Sequence, residues 1–590
     1  MPPTTQTITS LFLIFVTAFA GESGKDRQTL HVVERLTFGA RPSDLRHASA
    51  IGVTKWIEEQ LHPERIVENP ALGPKLAPLE TLSLSIPELL AKYPSNATVA
   101  LMAAGTVPLP SDPLLRKGVE RAIERYRAKK KEGTPAADGE TEDTGDVVAI
   151  LGARDARLLR GGKPGDRNAM LASLPAETVD KLLLALPTPA LRRLVASGSG
   201  DVRRKALLVT APQQVIGFDL NESKLQRAIY SNRQLEELLV DFWYNHFNVF
   251  LDKGADRQLV PAYERDAIRP HVLGKFRDLL GATVHHPAML FYLDNWQSVA
   301  PREGARMKRG LNENYARELM ELHTLGVDGG YTQKDVTEVA RCLTGWSIRE
   351  PRRTGEFLYN DRVHDKGEKT VLGVHIAAGG GQQDGDRVLD LLAAHPSTAK
   401  FISRKLATRF VSDTPSDALV AEMAKTFQKT GGDLREVMRT MLRSKEFLSE
   451  GAFRAKVKTP FEMVASAARA LDADVTGTAA MARELNQLGE PLYRKVEPTG
   501  YSWRNADWVN SSALLGRMNI ALNMAQGKVA GVTPNIPAGA TRETLERMYL
   551  PGGVGESTRA SIAKAIAQQS EPSTAAIAGL LLGSPEFQRK

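Results

Sequence analysis

The 590-residue chain is 42% hydrophobic and 25% charged, which is typical of globular proteins and excludes a largely disordered chain. At about 150 residues per domain, its length predicts several structural units. The net charge of +8 is spread along the chain without an aromatic stacking platform or a recognition helix, so we expect no nucleic-acid partner.

Residues 1–20 are predicted to be a signal peptide. Residues 11–20 form an apolar run that is too short to span a membrane, and the run ends in the small-x-small sequence Ala-Phe-Ala. The preceding segment has no Lys or Arg, so an uncleaved membrane anchor is the alternative. We expect an exported protein, periplasmic or extracellular, that begins near Gly21 and has no membrane span after cleavage.

The next 195 residues fall into two predicted parts. Residues 21–95 are expected to form the N-terminal helical segment of the main fold, with two short helices around a Gly-Ala-Arg-Pro turn. Residues 96–215 are expected to be an insertion with a charged helix and then two or three small Leu- and Ala-rich helices. Between these, the acidic stretch near 132–147 lacks aromatic side chains, and we expect it to be disordered.

Residues 216–590 are predicted to form the main helical domain, with a short β-hairpin at 356–376 whose turn is at 365–368. The fold class is therefore mainly α: a large multi-helix domain with one small β-hairpin and a partly disordered insertion. Helical periodicity predicts helices at 226–247, 262–281, 287–294, 312–325, 333–345, 385–394, 396–411, 415–429, 433–446, 458–471, 478–488, 507–527 and 556–568.

Two candidate site residues precede the most polar helix. His246 falls on the apolar face of its predicted helix, where it is either a core residue or a neutral imidazole facing a polar pocket. Asp294 closes an apolar helix, and a carboxylate at a helix C-terminus needs a partner. Arg317, a metal ion or a turn hydrogen bond would serve.

A polar stripe marks the predicted helix that Asn312 caps. Arg317 and Glu321 fall on one face with Glu313 and Thr324, and Glu318 lies beside them, while the opposite face is apolar and includes His323. One interpretation is a ladder of surface ion pairs. The other is a cleft in which Glu318 and Glu321 act as an acid and a base or share a metal, and in which Arg317 binds an anion.

The hairpin region adds one more candidate. His364 is a possible site residue, whereas Lys369 is expected to be a solvated hairpin residue. Cys342 is the only cysteine, so neither an intrachain disulfide nor a Cys-based structural zinc site can form. No His-Glu-x-x-His, Gly-x-Ser-x-Gly, haem-attachment or calcium-loop motif is present. The sequence therefore leaves any cofactor or metal unknown.

Four segments carry a family resemblance: FWYNHFNVF (242–250), HHPAMLFYLDNWQS (285–298), GLNENYARELMELHTLGVDGGYTQKDVTEVARCLTGW (310–346) and HDKGEKTVLG (364–373). In this order they resemble the large bacterial family of domain of unknown function 1800 (DUF1800). The resemblance covers roughly residue 30 to the C-terminus apart from the insertion. It implies a site near the polar stripe, where the match is densest, but no reaction.

Three function classes follow. The first is an exported hydrolase or lyase that acts on an envelope or extracellular polymer through Glu318 and Glu321, with Arg317, His246 and His364. The second is a non-catalytic envelope scaffold or binding protein. The third is a metal- or haem-dependent oxidoreductase with His246 or His364 as a ligand.

Overall fold

The computed structural model describes residues 24–132, 145–301, 310–568 and 573–590. The predicted signal peptide and most of the predicted disordered stretch near 132–147 lie outside the described residues. Within them, the chain forms 29 α-helices and three two-stranded antiparallel sheets. The predicted mainly α fold is therefore confirmed. No helix of this part of the chain has both the length and the apolarity needed to cross a membrane.

The N-terminal segment and the insertion contribute helices that are mostly about ten residues long. The insertion has more helices than the sequence indicated, because short proline-initiated helices follow one another closely between 164 and 210. The helices are Gly24–Leu36, Pro42–Ile51, Val53–Gln60, Leu72–Leu76, Ile86–Lys92, Asn96–Ala103, Pro113–Glu132, Gly145–Gly161, Pro164–Ser173, Ala176–Ala185, Thr188–Ser197 and Gly200–Thr210.

The main domain packs around an apolar core that is continuous with the buried residues of the N-terminal segment and the insertion. Its α-helices are Gln214–Tyr230, Gln234–His246, Asp256–Ala262, Phe276–His285, Pro287–Tyr292, Glu313–Glu321, Gln333–Cys342, Gln383–Ala394, Pro396–Phe410, Asp417–Lys429, Leu434–Leu442, Pro460–Ala470, Ala479–Gln487, Ser511–Ala525, Arg542–Tyr549, Glu556–Ala567 and Thr574–Leu582.

Two predicted helices are interrupted. The predicted 226–247 helix is two helices that meet at Ser231, whose backbone leaves the helical conformation. The predicted 262–281 helix is a π-helical turn, Tyr263–Ile268, and a 3-10 turn, Arg269–His271, before the helix Phe276–His285. Pro270 lies in this interruption, where its ring is incompatible with a continuous α-helix.

The predicted hairpin at 356–376 is wrong in its strand pairing and in its turn, because this region forms two hairpins. Strand Trp346–Arg349 pairs with Glu356–Tyr359, and strand Lys369–Val371 pairs with Val374–Ile376. The second hairpin turns at Leu372-Gly373, where both residues have positive φ (51° and 78°), as a tight two-residue turn requires. The predicted turn at 365–368 instead connects the two hairpins. A third sheet joins Asp474–Val475 to Val532–Thr533.

A buried ion pair joins the insertion to the main domain. Arg204, on the 200–210 helix, donates from Nε and Nη2 to the two carboxylate oxygens of Asp219 at 2.8 and 3.0 Å. Asp219 is fully buried and also accepts a hydrogen bond from the Thr81 hydroxyl at 2.8 Å. All three predicted parts of the chain therefore meet at this carboxylate.

Candidate functional site

The helix that carries the polar stripe forms much as predicted. It runs from Glu313 to Glu321, and the Asn312 side-chain oxygen accepts a hydrogen bond from the Tyr315 backbone N–H at 3.0 Å. This leaves one face to the core and the other to solvent. The buried residues of the helix are Tyr315, Ala316, Leu319 and Met320.

The stripe ends earlier than predicted. After Glu321 the chain turns inward, and Thr324 is fully buried. Its hydroxyl donates to the Leu319 carbonyl oxygen at 2.7 Å, which satisfies one of the free carbonyls at the helix end. Thr324 therefore belongs to the core, and the polar face consists of residues up to 321.

The ion-pair ladder predicted as the alternative does not form among the described residues. Arg317 donates to the side-chain oxygen of Gln333 at 2.7 Å. Gln333 in turn donates to Glu313 at 2.8 Å, and the Thr337 hydroxyl also binds Glu313 at 3.1 Å. The N-terminal part of the stripe thus joins its helix to the neighbouring helix Gln333–Cys342.

Glu318 and Glu321 form the part of the stripe that has acid–base character. Both carboxylates are half-buried. Burial raises the pKa of Glu318, the nearby charge of Glu321 raises it further, and Arg317 opposes this rise. Glu321 accepts a hydrogen bond from the Tyr331 hydroxyl at 3.0 Å, and burial together with this bond raises the pKa of Tyr331 to about 12.

Asp294 finds its partner in Lys253. The Lys253 ammonium lies 2.8 Å from the Asp294 carboxylate and 2.5 Å from the Tyr292 carbonyl oxygen. Asp294 is left-handed, with φ of 60°, a conformation that Asp tolerates better than most residues. The partner that the helix terminus requires is thus neither Arg317 nor a turn hydrogen bond.

Tyr292 lies between Lys253 and Glu318, because its carbonyl oxygen accepts from the Lys253 ammonium and its hydroxyl is affected by the charge of Glu318. Its hydroxyl donates to the Val496 carbonyl oxygen at 2.6 Å. Burial raises the pKa of this hydroxyl, and the nearby carboxylates of Asp256 and Glu318 add to the rise. Glu318 is therefore close enough to Tyr292 to act on it electrostatically. We call the set Lys253, Tyr292, Asp294, Glu318 and Glu321 the Glu318 cluster.

A buried carboxyl lies beneath this cluster. Asp256 is fully buried, and neither of its oxygens has a hydrogen-bond partner among the described residues. Burial raises its pKa well above the ordinary value, and the charge of Lys253 only partly offsets this. Burial therefore favours the protonated, neutral form of this carboxyl group.

His246 lies behind the stripe rather than on it. Its Nε2 donates to the His323 carbonyl oxygen at 3.1 Å, and its ring packs against Phe242, Trp243 and Phe247. Burial lowers its pKa well below the ordinary value, so the ring is neutral. Its Nδ1 has no partner among the described residues. His246 therefore contacts the backbone just beyond the end of the stripe helix, and its ring faces the core.

His364 belongs to a separate buried network. Its Nε2 lies 3.1 Å from the Asp384 carboxylate, and its Nδ1 lies 2.8 Å from the Thr344 carbonyl oxygen. Lys369 contacts the same carboxylate at 2.5 Å, and its side chain is fully buried, so the prediction of a solvated Lys369 is wrong. The Asp384 carboxylate packs directly against Gly380, since a Cβ at that position would lie 2.0 Å from its Oδ1. The structure does not place His364 with the Glu318 cluster.

Among the predicted site residues, Glu318 and Glu321 thus share one helix face with Arg317 at its edge, and Asp294 pairs with Lys253. His246 faces the core, and His364 lies in a separate buried network. Sequence reasoning missed Lys253, Tyr292 and Asp256. The only signal for Lys253 was its position three residues after the FWYNHFNVF segment. Within the described residues, no three His, Cys, Asp or Glu side chains are grouped so that they could hold a metal ion.

The buried, neutral His323 leads to a prediction of how stability depends on pH. His323 is buried, its Nε2 has no partner among the described residues, and burial lowers its pKa to about 3. The unfolded chain therefore binds a proton at His323 between about pH 6.5 and 3 that the folded chain does not, so acid lowers stability. As pH falls from 7 to 4.5, we expect the free energy of unfolding of His323→Phe to rise by about 2 to 3 kcal/mol relative to that of the wild type.

Chemical denaturation at both pH values measures this gain. His375→Phe is the matched control because His375 is exposed on the second hairpin. It should show no such gain. An equal difference between His323→Phe and the wild type at both pH values would show that His323 titrates normally in the folded protein.

Comparison with known proteins identifies a family and nothing closer. A family model described as "Protein of unknown function (DUF1800)" matches residues 31–589. No curated protein and no solved structure matches the chain.

Proposed function

The chain belongs to the DUF1800 family, and from that premise we propose that it is an exported hydrolase or lyase that cleaves an envelope or extracellular polymer. Glu318 is the general acid, and Glu321 is the carboxylate that works with it. The observation that supports this most is the raised pKa of a half-buried Glu318 next to a second carboxylate. Such a pair favours a shared proton, which suits acid–base chemistry near neutral pH.

In hydrolysis, the protonated Glu318 gives its proton to the leaving oxygen as the bond between that oxygen and carbon breaks. Water attacks the same carbon and loses a proton to the Glu321 carboxylate. Proton exchange with solvent then restores both carboxyl groups. Paired carboxylates of this kind cleave glycosidic bonds in many enzymes. In a lyase, the same pair would remove a proton from carbon and protonate the leaving oxygen.

Other members of the cluster have supporting roles in this proposal. Lys253 fixes Asp294 and the Tyr292 carbonyl, and so holds the polymer-facing surface beside Glu318. Arg317, which is bound only to Gln333 among the described side chains, offers a guanidinium to an anionic substituent. The net charge of +8 also favours encounter with an anionic polymer.

Assaying polymers by the kind of chain end produced tests the proposal. Purified protein is incubated with peptidoglycan, an acidic extracellular polysaccharide and a polyester. New reducing ends indicate glycoside hydrolysis, unsaturated ends indicate a lyase, and released acid indicates ester hydrolysis. We expect one of these signals to rise with time. Adhesion to polymer without new chain ends would favour the scaffold alternative.

A further inference from the structure

A cavity of about 470 Å³ lies between the insertion and the main domain. The insertion contributes Val195, Arg203 and Leu207, and the opposite wall comes from the helices Gln214–Tyr230 and Ala479–Gln487. Its volume is in the range of sites that hold small molecules. Four arginines and two carboxylates line it, so its lining is cationic.

Two of these arginines, Arg203 and Arg483, stand outside the ion pairs formed within the described part of the chain. Arg203 is only 6% exposed and donates to the Ala196 carbonyl oxygen at 3.1 Å, and Arg483 donates to the same oxygen at 3.4 Å. Neither forms an ion pair with a described carboxylate, and the Nε of Arg203 has no partner in the described chain. Burial lowers the pKa of Arg203 and the charge of Arg483 lowers it further, whereas the charge of Glu222 partly opposes this. Two guanidinium groups thus converge on one carbonyl and repel each other.

The other charges in the cavity are already engaged. Asp252 pairs with Arg257 at 2.5 Å and with Arg494 at 2.9 Å. Glu222 accepts hydrogen bonds from the backbone N–H and hydroxyl of Thr478 at 2.9 and 2.8 Å. Each pair of arginines therefore carries one more positive charge than the nearby carboxylate, and Arg203 and Arg483 are the two that form no ion pair with a described carboxylate.

We propose that this cavity binds a monosaccharide-sized molecule whose carboxylate or phosphate group lies between Arg203 and Arg483. A planar guanidinium matches both oxyanions in two-point hydrogen bonds, and an anion there would remove the repulsion. The buried side-chain oxygen of Asn221 has no partner among the described residues, and it would accept a hydrogen bond from a hydroxyl group of the ligand. Phe218 supplies an apolar surface for the ring.

This binding site is distinct from the Glu318 cluster but adjoins it in the chain. Asp252 lines the cavity, and the next residue, Lys253, holds Asp294. The proposal does not depend on the proposed reaction, because it concerns ligand binding alone. The insertion provides Arg203, so the insertion is required for the site.

Calorimetric titration of the full chain tests this proposal at constant ionic strength, with glucuronate and glucose 6-phosphate as the anionic probes and glucose as the neutral one. We expect at least one anionic probe to bind with a Kd of about 1 mM or tighter, and glucose not to bind. Binding of glucuronate alone would indicate a sugar acid, and binding of glucose 6-phosphate alone would indicate a sugar phosphate.

Arg483→Gln should weaken the binding at least tenfold, because it removes one of the two guanidinium groups that hold the anion. Arg483 is exposed, so its loss leaves the fold intact. Arg547→Gln removes the same charge from a surface helix and should bind like the wild type. Arg203→Gln should act like Arg483→Gln if it folds. Absence of binding by both anionic probes at about 10 mM, or unchanged binding by Arg483→Gln, would overturn the proposal.

Discussion

Glu318→Gln is expected to lower kcat for polymer cleavage by about 10²- to 10⁴-fold, the range that a general acid or base contributes. Glutamine keeps the size and hydrogen-bonding capacity of the side chain but cannot give a proton. Glu321→Gln should cause a loss of the same order, because it removes the partner carboxylate. The rate of the wild type should fall as pH rises through the raised pKa of Glu318, since a general acid must be protonated.

Glu313→Gln is the matched control. Glu313 lies on the same helix, but it binds Gln333 and Thr337 rather than the cluster, so its rate should stay within a few-fold of the wild type. Circular dichroism should show the same helical content for all three variants. A Glu318→Gln protein that cleaves as fast as the wild type would remove Glu318 from the reaction.

The second large effect is expected on stability. Asp384→Asn should lower the free energy of unfolding by about 3 to 5 kcal/mol, because it leaves the Lys369 ammonium buried without its carboxylate. The side chains of His364 and Lys369 are both fully buried against Asp384, so water cannot replace the lost charge. Denaturant unfolding at pH 7 measures the loss.

Asp390→Asn controls for removal of an acidic residue from the same helix. Asp390 is about half exposed and pairs with Arg277 at the surface, so this change should cost less than about 1 kcal/mol. Combining Asp384→Leu with Lys369→Met should recover most of the loss, since an apolar pair carries no unpaired charge. If Asp384→Asn is as stable as the wild type, the network does not hold the hairpin in place.

Local patterns predicted the stripe helix well. The Asn312 cap and the apolar spacing of Tyr315 and Leu319 are properties of neighbouring residues, and both appear in the structure. The hairpin prediction failed because the polar run at 365–368 resembles a turn, whereas the tight turn at Leu372-Gly373 depends on backbone conformation.

Contacts between distant segments limited the prediction of the site. Lys253 reaches Asp294 across 41 positions of sequence, and His364 reaches Asp384 across 20. No periodicity within one helix encodes such pairs. The helical wheel could place Glu318 and Glu321 on one face, but it could not show that Arg317 binds Gln333 or that His364 is enclosed elsewhere.

Titration of the Glu318 carboxyl group tests the central claim most directly, because it requires no substrate. Carbon-13 NMR of labelled protein, assigned with Glu318→Gln, should give a pKa above the ordinary glutamate value of about 4.3. Glu321→Gln should lower this pKa, and Arg317→Gln should raise it, since the two charges act in opposite directions. A pKa at or below the ordinary value that neither variant moves would contradict an acid–base pair at Glu318 and Glu321.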